Sequence, residues 1–163
     1  MPPATCRITL SHMAPPSAAL LPESASVLAL LGGKKILGAS PRTEGDCIAL
    51  VRQGLPFASF RFATAALALS LREVEEALRL SSRTLHRRTE GRLTPVESER
   101  VMRLVRVAAR AEHVLGDRPT ALDWLSSPNR ALGGEKPIGL LDTDLGADQV
   151  LQALGRIEFG VYA

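Results

Sequence analysis

The sequence predicts an all-α protein, and three observations support this fold class. Apolar residues make up 45% of the 163 residues but aromatic residues only 4%, so the core must consist of leucine, valine and alanine. Alternating runs of β-branched residues, which are typical of strands, are few. The stretches Ser70–Glu73 and Thr94–Glu97 carry the Ser/Thr-x-x-Glu pattern that caps a helix N-terminus. The length suits one domain of ordinary size or two small ones.

Several classes of protein are disfavoured by composition. No stretch approaches about eighteen uninterrupted apolar residues, so we expect no membrane span. The start does not read as a secretory signal, because Arg7 is its only early charge and prolines interrupt the apolar residues up to Pro22. Cys6 and Cys47 match no metal-ligand spacing. We therefore expect a cytoplasmic protein with two free thiols, with a disulfide as the alternative.

The net charge of +3 is unevenly distributed. Residues 79–110 contain nine arginines and three glutamates, a net charge of +6. Residues 111–163 contain four basic and eight acidic residues, a net charge of −4. A basic block beside an acidic one predicts different partners for the two parts of the chain.

Residues 1–50 are predicted to hold a tail and one short helix. The tail, up to about Pro22, is rich in proline, alanine and serine and has no periodicity. A short apolar helix is expected within residues 25–37, ending at the Gly32–Gly33 pair. Residues 39–46 are expected to form a polar linker.

Helices with one apolar face are predicted from about Leu55 onward. Pro56 suits a first helical position. The apolar face of that helix recurs at three- and four-residue steps: Phe57, Phe60, Thr64 and Leu67. The next helix is capped by Ser70 and ends after about two turns, at residues 79–82. A further short helix is expected from Ser82 to just before Gly91.

A long helix is predicted from Thr94 to Leu115. Thr94 is the N-cap, Pro95 the first helical residue, and Gly116 ends the helix. Its apolar face is formed by Val101, Leu104, Val105, Ala108 and Leu115.

The last part of the chain is predicted to be two helices around a long loop. The first helix starts near Pro119 and stops before Pro128, and the second spans about residues 147–159. Between them, Ser126–Pro137 reads as a loop of about a dozen residues without secondary structure, a length that is often functional. An apolar cluster follows it: Ile138, Leu140 and Leu141.

Two short helices joined by a four-residue turn, the second rich in arginine, indicate a helix-turn-helix. Its second helix would enter the major groove of DNA, and Arg92 would add a phosphate contact. The candidate DNA-binding residues are Ser82, Arg83, Thr84, His86, Arg87, Arg88 and Arg92. Two residues depart from the usual motif: Glu75 stands where a small residue is expected, and Arg79 where a left-handed glycine is, at roughly 1 kcal/mol of strain. The alternative is a helical scaffold whose basic face is merely solvated.

Metal and catalytic sites are not predicted. The histidines at 12, 86 and 113 are scattered, whereas zinc needs three or four clustered ligands. Asp142, Asp144 and Asp148 lack the Gly and Glu positions of a calcium loop. No nucleophile–base pair is visible, so we expect neither a cofactor nor an enzyme.

From about Leu55 to its end the chain resembles the Xre/MbcA/ParS antitoxins, which pair with toxins of the RES type. A diverged Xre-like helix-turn-helix is similar to the stretches LSLREVEEALRLSSRTLHRR and GRLTPVESERVMRL. The toxin-binding domain of these antitoxins is similar to ALDWLSSPNRALGGEKPIGLL and ALGRIEFGVYA. The resemblance divides the chain into residues 1–50, a helix-turn-helix domain over 51–110 and a toxin-binding domain over 111–163.

The resemblance implies a function that the individual residues do not. RES toxins degrade NAD⁺, and their antitoxins are dimers that exclude NAD⁺ from the toxin's active site and repress their own operon. The implied toxin-binding residues are Trp124, Pro128, Asn129, Gly133, Gly134, Pro137, Leu140 and Leu141. The implied plug at the end of the chain consists of Ile157, Gly160, Val161 and Tyr162.

Two points accompany this interpretation. The acidic charge of the second half suggests a complement to a basic NAD-phosphate site in the toxin, a hypothesis carried by Asp142, Asp144 and Asp148. The alternative function is a stand-alone helix-turn-helix regulator, whose C-terminal domain dimerises or binds a different protein.

Overall fold

A computed structural model of the protein describes residues 23–80, 83 and 90–160. The described residues are helical, without a strand, which confirms the predicted all-α class. The α-helices are α1 (Glu23–Leu30), α2 (Gly33–Leu37), α3 (Glu44–Gln53), α4 (Phe57–Ala66), α5 (Leu71–Leu78), α6 (Pro95–Leu115), α7 (Arg118–Ser126) and α8 (Asp144–Glu158). The 3₁₀ helices are η1 (Arg130–Leu132) and η2 (Pro137–Asp142).

Helix α6 is the centre of the fold, because it packs against α1, α3, α5, α7, α8 and η2. Its capping box forms as predicted: the Thr94 amide donates to the Glu97 carboxylate (2.7 Å), and the Glu97 amide donates to the Thr94 hydroxyl (3.3 Å). Gly116 ends the helix with a φ of 92°. Most of the predicted apolar face is buried: Val101, Leu104, Val105 and Ala108. The predicted domain boundary at residue 110 therefore lies inside one continuous helix.

The N-terminal helices belong to the core. Helix α1 packs against α6 and α4, and Leu30 and Leu31 are fully buried there. The predicted short helix corresponds to α1, and a second helix that was not predicted, α2, begins at Gly33 after a turn at residues 31–32. The predicted polar linker is wrong, since α3 already begins at Glu44. The Thr43 hydroxyl accepts from the Asp46 amide, and the Asp46 carboxylate accepts from the Thr43 amide (3.0 Å), so a third capping box starts this helix.

The chain crosses itself where α3 passes into α4. The Leu93 amide donates to the Leu55 carbonyl (2.8 Å), and the Leu55 amide donates to the Ser98 hydroxyl (2.8 Å). Gly54 is required at this crossing: its φ is 85°, and a Cβ would lie 2.1 Å from the Leu93 carbonyl oxygen. Pro56 caps α4 from just outside, so the helix starts at Phe57, one residue later than predicted.

The C-terminal part follows α6 after a short turn. The Asp117 carboxylate caps α7 by accepting from the Thr120 amide (2.8 Å). The loop predicted to lack secondary structure is not irregular, because it contains η1. Helix α8 starts three residues earlier than predicted, since the Thr143 hydroxyl accepts from the Gly146 amide (3.1 Å). In residues 23–80 and 90–160 no helix is long and apolar enough to cross a membrane.

Candidate functional site

The first helix of the predicted helix-turn-helix forms as expected. Ser70 and Glu73 make the reciprocal capping box, with the Ser70 amide 2.9 Å from the Glu73 carboxylate. Hydrogen bonds from the Ser70 hydroxyl (2.6 Å) and from the Ser70 amide to the Glu73 carboxylate lower the pKa of Glu73. At the other end of α5, Arg79 adopts the left-handed conformation (φ 47°, ψ 39°) that the sequence predicted for the turn.

The second helix falls largely outside the described residues. Of its candidate DNA contacts, Arg83 is helical and exposed. The other candidate contacts in this helix lie outside the residues that the structure describes: Ser82, Thr84, His86, Arg87 and Arg88. Arg92, the predicted phosphate contact, is exposed but donates from Nε to the Gly54 carbonyl (2.8 Å). Arg92 therefore also stabilises the crossing of the chain between Gly54 and Leu93.

The arginine in the turn has a partner in the second half of the chain. Arg79 donates from Nε to the Asp142 carboxylate of η2 (3.0 Å), and its Nη2 contacts the same oxygen. Arg100 of α6 donates to the Leu78 carbonyl at the end of α5 (3.1 Å). An arginine in place of glycine at this turn strains the backbone, and the contacts from η2 and α6 offset that strain.

Glu75 remains an irregular feature of α5. The helix buries Val74, Ala77 and Leu78 against its neighbours, whereas Glu75 is half-buried. Its Oε1 atom is inaccessible to solvent and makes no hydrogen bond with the described residues. A buried unpaired carboxylate oxygen is unfavourable, so the departure noted in the sequence is not compensated within the part of the chain described.

Three ion pairs among the described residues join the basic block to the acidic block. Arg103 of α6 is mostly buried, donates to the Leu141 carbonyl (3.3 Å) and forms an ion pair with Asp144. Arg110 pairs with Glu158 at the end of α8. With the Arg79–Asp142 pair, these contacts place part of each charged block against the other, while the prediction of different partners for the two blocks stays a prediction. They also engage Asp142 and Asp144, two of the three acids proposed to face the toxin, inside the chain itself.

The Pro-Asn…Gly-Gly loop closes on itself through Asn129. The Asn129 side-chain oxygen accepts from the Ala131 amide (2.9 Å), and its carbonyl accepts from the Gly134 amide (2.9 Å). Its own amide donates to the Glu135 carbonyl (3.0 Å). Gly133 and Gly134 have φ values of 70° and 87°, a left-handed region that favours glycine. The motif residues therefore build one compact turn.

Many of the predicted toxin-binding residues lie in the interior or against it. Leu141 is 1% exposed and Pro137 is buried. Trp124 and Leu140 are half-buried and pack against the core. Asn129 and Ile157 are half-buried, while exposed positions are taken by Pro128, Gly133, Gly134 and Gly160. Val161 and Tyr162 lie outside the described residues.

A surface that the sequence reading missed lies on the outer side of α8. Leu145 and Phe159 are 78% and 76% exposed, more than any other large hydrophobic residue in the described part of the chain. Near Phe159 the surface holds an open cleft of about 360 Å³ lined by Gln152, Gly155, Arg156 and Phe159. The signal was present in the sequence, because Leu145 and Phe159 fall off the apolar stripe of α8 when residues are placed at 100° steps.

Neither metal nor acid–base chemistry is indicated by the described residues. In residues 23–80 and 90–160, no group of three or more His, Cys, Asp or Glu side chains could hold a metal ion. Cys47 is a free, half-buried thiol, and burial raises its pKa.

Two known domain families match this chain, one in each half. Residues 46–106 match the antitoxin Xre-like helix-turn-helix domain, and residues 110–160 match the antitoxin Xre/MbcA/ParS C-terminal toxin-binding domain. Both matched domains are antitoxin domains, one a helix-turn-helix and the other a toxin-binding domain.

Three relatives illustrate the similarity. An antitoxin Xre of Yersinia enterocolitica is 43% identical over 94 residues, 56% of this chain and 64% of the relative. An antitoxin Xre of Photorhabdus laumondii is 41% identical over 73 residues, 44% of this chain and 49% of the relative. The Prs ADP-ribosylating antitoxin of a Sphingobium species is 31% identical over 129 residues, 72% of this chain and 81% of the relative.

The alignments thus cover less than two thirds of the first two relatives but most of the third. Two consecutive domain matches and a relative aligned over most of its length lead to one conclusion: this chain belongs to the Xre/MbcA/ParS family of antitoxins.

Proposed function

We propose that this antitoxin neutralises a cognate RES-domain toxin that degrades NAD⁺, by placing its C-terminal residues in the toxin's active site. The observation that carries the proposal is the match of residues 110–160 to a toxin-binding domain. In this proposal the antitoxin acts in the cytoplasm as a homodimer and represses its own operon through the helix-turn-helix.

The end of α8 supports the role of a plug. Gly160 has a φ of 64°, and its amide donates to the Ile157 carbonyl (3.2 Å), so a left-handed residue ends the helix there. Arg110 and His113 of α6 both approach Glu158, which anchors the last turn of α8 on the core. A short segment that starts from an anchored helix loses little conformational entropy on binding. Val161 and Tyr162 are the residues proposed to enter the active site.

One relative's name suggests a second candidate activity for the toxin. The Sphingobium relative is named for ADP-ribosylation of Prs. ADP-ribosyl transfer consumes NAD⁺, as NAD⁺ degradation does, so both activities place the same dinucleotide in the toxin's active site. The second candidate function is therefore neutralisation of a toxin that modifies Prs.

The test measures NAD⁺ consumption by the RES-domain protein encoded beside this antitoxin. It compares the toxin alone, the toxin with the full chain, and the toxin with a chain that ends at Gly160. We expect the full chain to inhibit, and the shortened chain to bind with similar affinity without inhibiting. Inhibition by both would reject the plug but keep the antitoxin function.

Two further readings come from the same reaction. Addition of purified Prs separates the candidates, because a Prs-modifying toxin labels Prs with ADP-ribose while an NAD⁺-degrading toxin releases free products. If the full chain neither binds nor inhibits the toxin, the stand-alone regulator becomes the better account.

A further inference from the structure

We infer that the toxin docks on the outer face of α8, defined by Leu145, Gln149, Gln152, Gly155, Arg156 and Phe159. This inference rests on the proposed function, since the partner is the toxin. It concerns a surface distinct from the terminal plug and from the loop around Asn129. The plug would block the active site, whereas the outer face of α8 would supply the affinity.

The geometry of α8 separates two faces. The inner face is buried against α6, η1 and η2 and consists of Ala147, Val150, Ala153 and Leu154. The outer face recurs at the three- and four-residue steps of one side of a helix. From Leu145 to Phe159 it extends about 21 Å at 1.5 Å per residue, enough to cover a substantial patch of a protein partner.

Gly155 is not explained by the fold. A Cβ placed on it would have no atom within 4 Å, and its backbone is helical. Glycine costs roughly 1 kcal/mol relative to alanine inside a helix, and packing within residues 23–80 and 90–160 gives no reason for its presence. Gly146, in the first turn of the same helix, has such a reason, because a Cβ there would lie 2.0 Å from the Leu140 carbonyl oxygen. The open position at Gly155 fits a side chain supplied by a partner.

The cleft next to Gly155 is suited to one apolar side chain of the toxin. Phe159 forms its wall and is 76% exposed, although burying an aromatic ring of this size is favourable. Gln152 and Arg156 line the remaining sides and can donate hydrogen bonds at the rim. An aromatic anchor surrounded by polar residues is the usual composition of an interface centre. The toxin surface is therefore expected to present an apolar side chain next to a carboxylate.

Two observations favour the toxin over a second copy of this chain as the occupant. All of α8 lies within the residues that match a toxin-binding domain. The outer face is also continuous with the turn at Gly160, where the proposed plug begins, so one partner would cover both. A second copy seated here would have to leave before the plug reached the toxin.

The test measures toxin affinity by titration calorimetry with the RES-domain protein encoded beside this antitoxin. Phe159→Ala removes the wall of the cleft, and we expect the dissociation constant to rise by about 30-fold. Gly155→Gln fills the cleft with a good helix former, and we expect a rise of at least about tenfold with no loss of thermal stability. The matched control is Val96→Ala on α6, which truncates another exposed apolar residue (61%) outside residues 110–160 and should leave affinity within about twofold.

The outcomes separate the inference from the proposed function. If the unaltered chain fails to bind the toxin, the proposed function fails and the inference with it. If the unaltered chain and both α8 variants bind equally well, the proposed function stands and the inference is overturned. Light scattering on the free antitoxin gives the remaining outcome: a smaller oligomer for Phe159→Ala with unchanged toxin affinity would assign the face to a second copy and reject the inference.

Discussion

Two glycines of α8 give a matched test of how this structure is packed. Gly146 and Gly155 lie in the same helix, and each is changed to alanine. At Gly146 the new Cβ would lie 2.0 Å from the Leu140 carbonyl oxygen and 3.0 Å from the Thr143 hydroxyl. Leu140 belongs to η2, which packs against α5 and α6, so this backbone cannot move alone. At Gly155 the same methyl group meets nothing within 4 Å.

The two substitutions should therefore have opposite signs. Overpacking typically costs about 1–3 kcal/mol, and alanine recovers up to about 1 kcal/mol of helix propensity. We expect Gly146→Ala to lower the free energy of unfolding by about 2 kcal/mol and the melting temperature by roughly 4–8 °C. Gly155→Ala should raise the free energy of unfolding by about 0.5–1 kcal/mol.

Urea denaturation followed by circular dichroism measures both values, at one protein concentration because association shifts apparent stability. Trp124, the only tryptophan, reports on the C-terminal half in the same samples. If Gly146→Ala is as stable as Gly155→Ala, the close approach of η2 to α8 does not exist as described. The inference drawn from Gly155 depends on the contrast with Gly146, so it would fail as well.

Three further predictions address DNA binding, the core and pH. The double substitution Arg87→Ala with Arg88→Ala should weaken binding to operator DNA and reduce the slope of log Kd against log salt by about 2, while toxin neutralisation survives in the same variant. Trp124→Ala should lower the free energy of unfolding by about 3 kcal/mol. This is the lower end of the range for a large aromatic residue, because Trp124 is half-buried. An unchanged melting temperature would contradict its packing against the core. Hydrogen bonds from the Arg42 and Thr43 amides lower the pKa of Asp46, so its contribution to stability is present above about pH 4 and lost as the pH falls through the lowered folded-state pKa. Asp46→Asn should accordingly be less stable than the unaltered chain at pH 7, with a difference that shrinks on acidification, and a constant difference down to pH 2 would refute the assignment.

Local signals in the sequence predicted most of the helices. The capping boxes at Ser70 and Thr94 form as expected, because each depends only on residues within one turn. The box at Thr43 was missed since aspartate, rather than glutamate, occupies its third helical position. The early start of α8 was missed for a similar reason, as Thr143 caps that helix with no acidic residue closing the box.

Contacts between residues far apart in the sequence could not be predicted from the sequence. Arg79 and Asp142 are 63 positions apart, and nothing in either neighbourhood indicates that they meet. The resemblance to a family identified the toxin-binding domain but not which side chains face outward. Leu141 was predicted to bind the toxin and is buried, whereas Phe159 is exposed and was not among the predicted toxin-binding residues. A motif shared by a family marks the scaffold as readily as the contact surface.

The continuity of α6 constrains how members of this family can exchange parts. The helix-turn-helix match ends at residue 106 and the toxin-binding match begins at residue 110, both within Pro95–Leu115. A recombination junction in this helix must preserve its phase. One inserted residue would turn everything after it by about 100° and shift it by about 1.5 Å, which would separate Arg79 from Asp142. Antitoxins of new specificity are therefore expected to arise from junctions that keep the length of this helix unchanged. Each new C-terminal half then keeps its packing against the helix-turn-helix half.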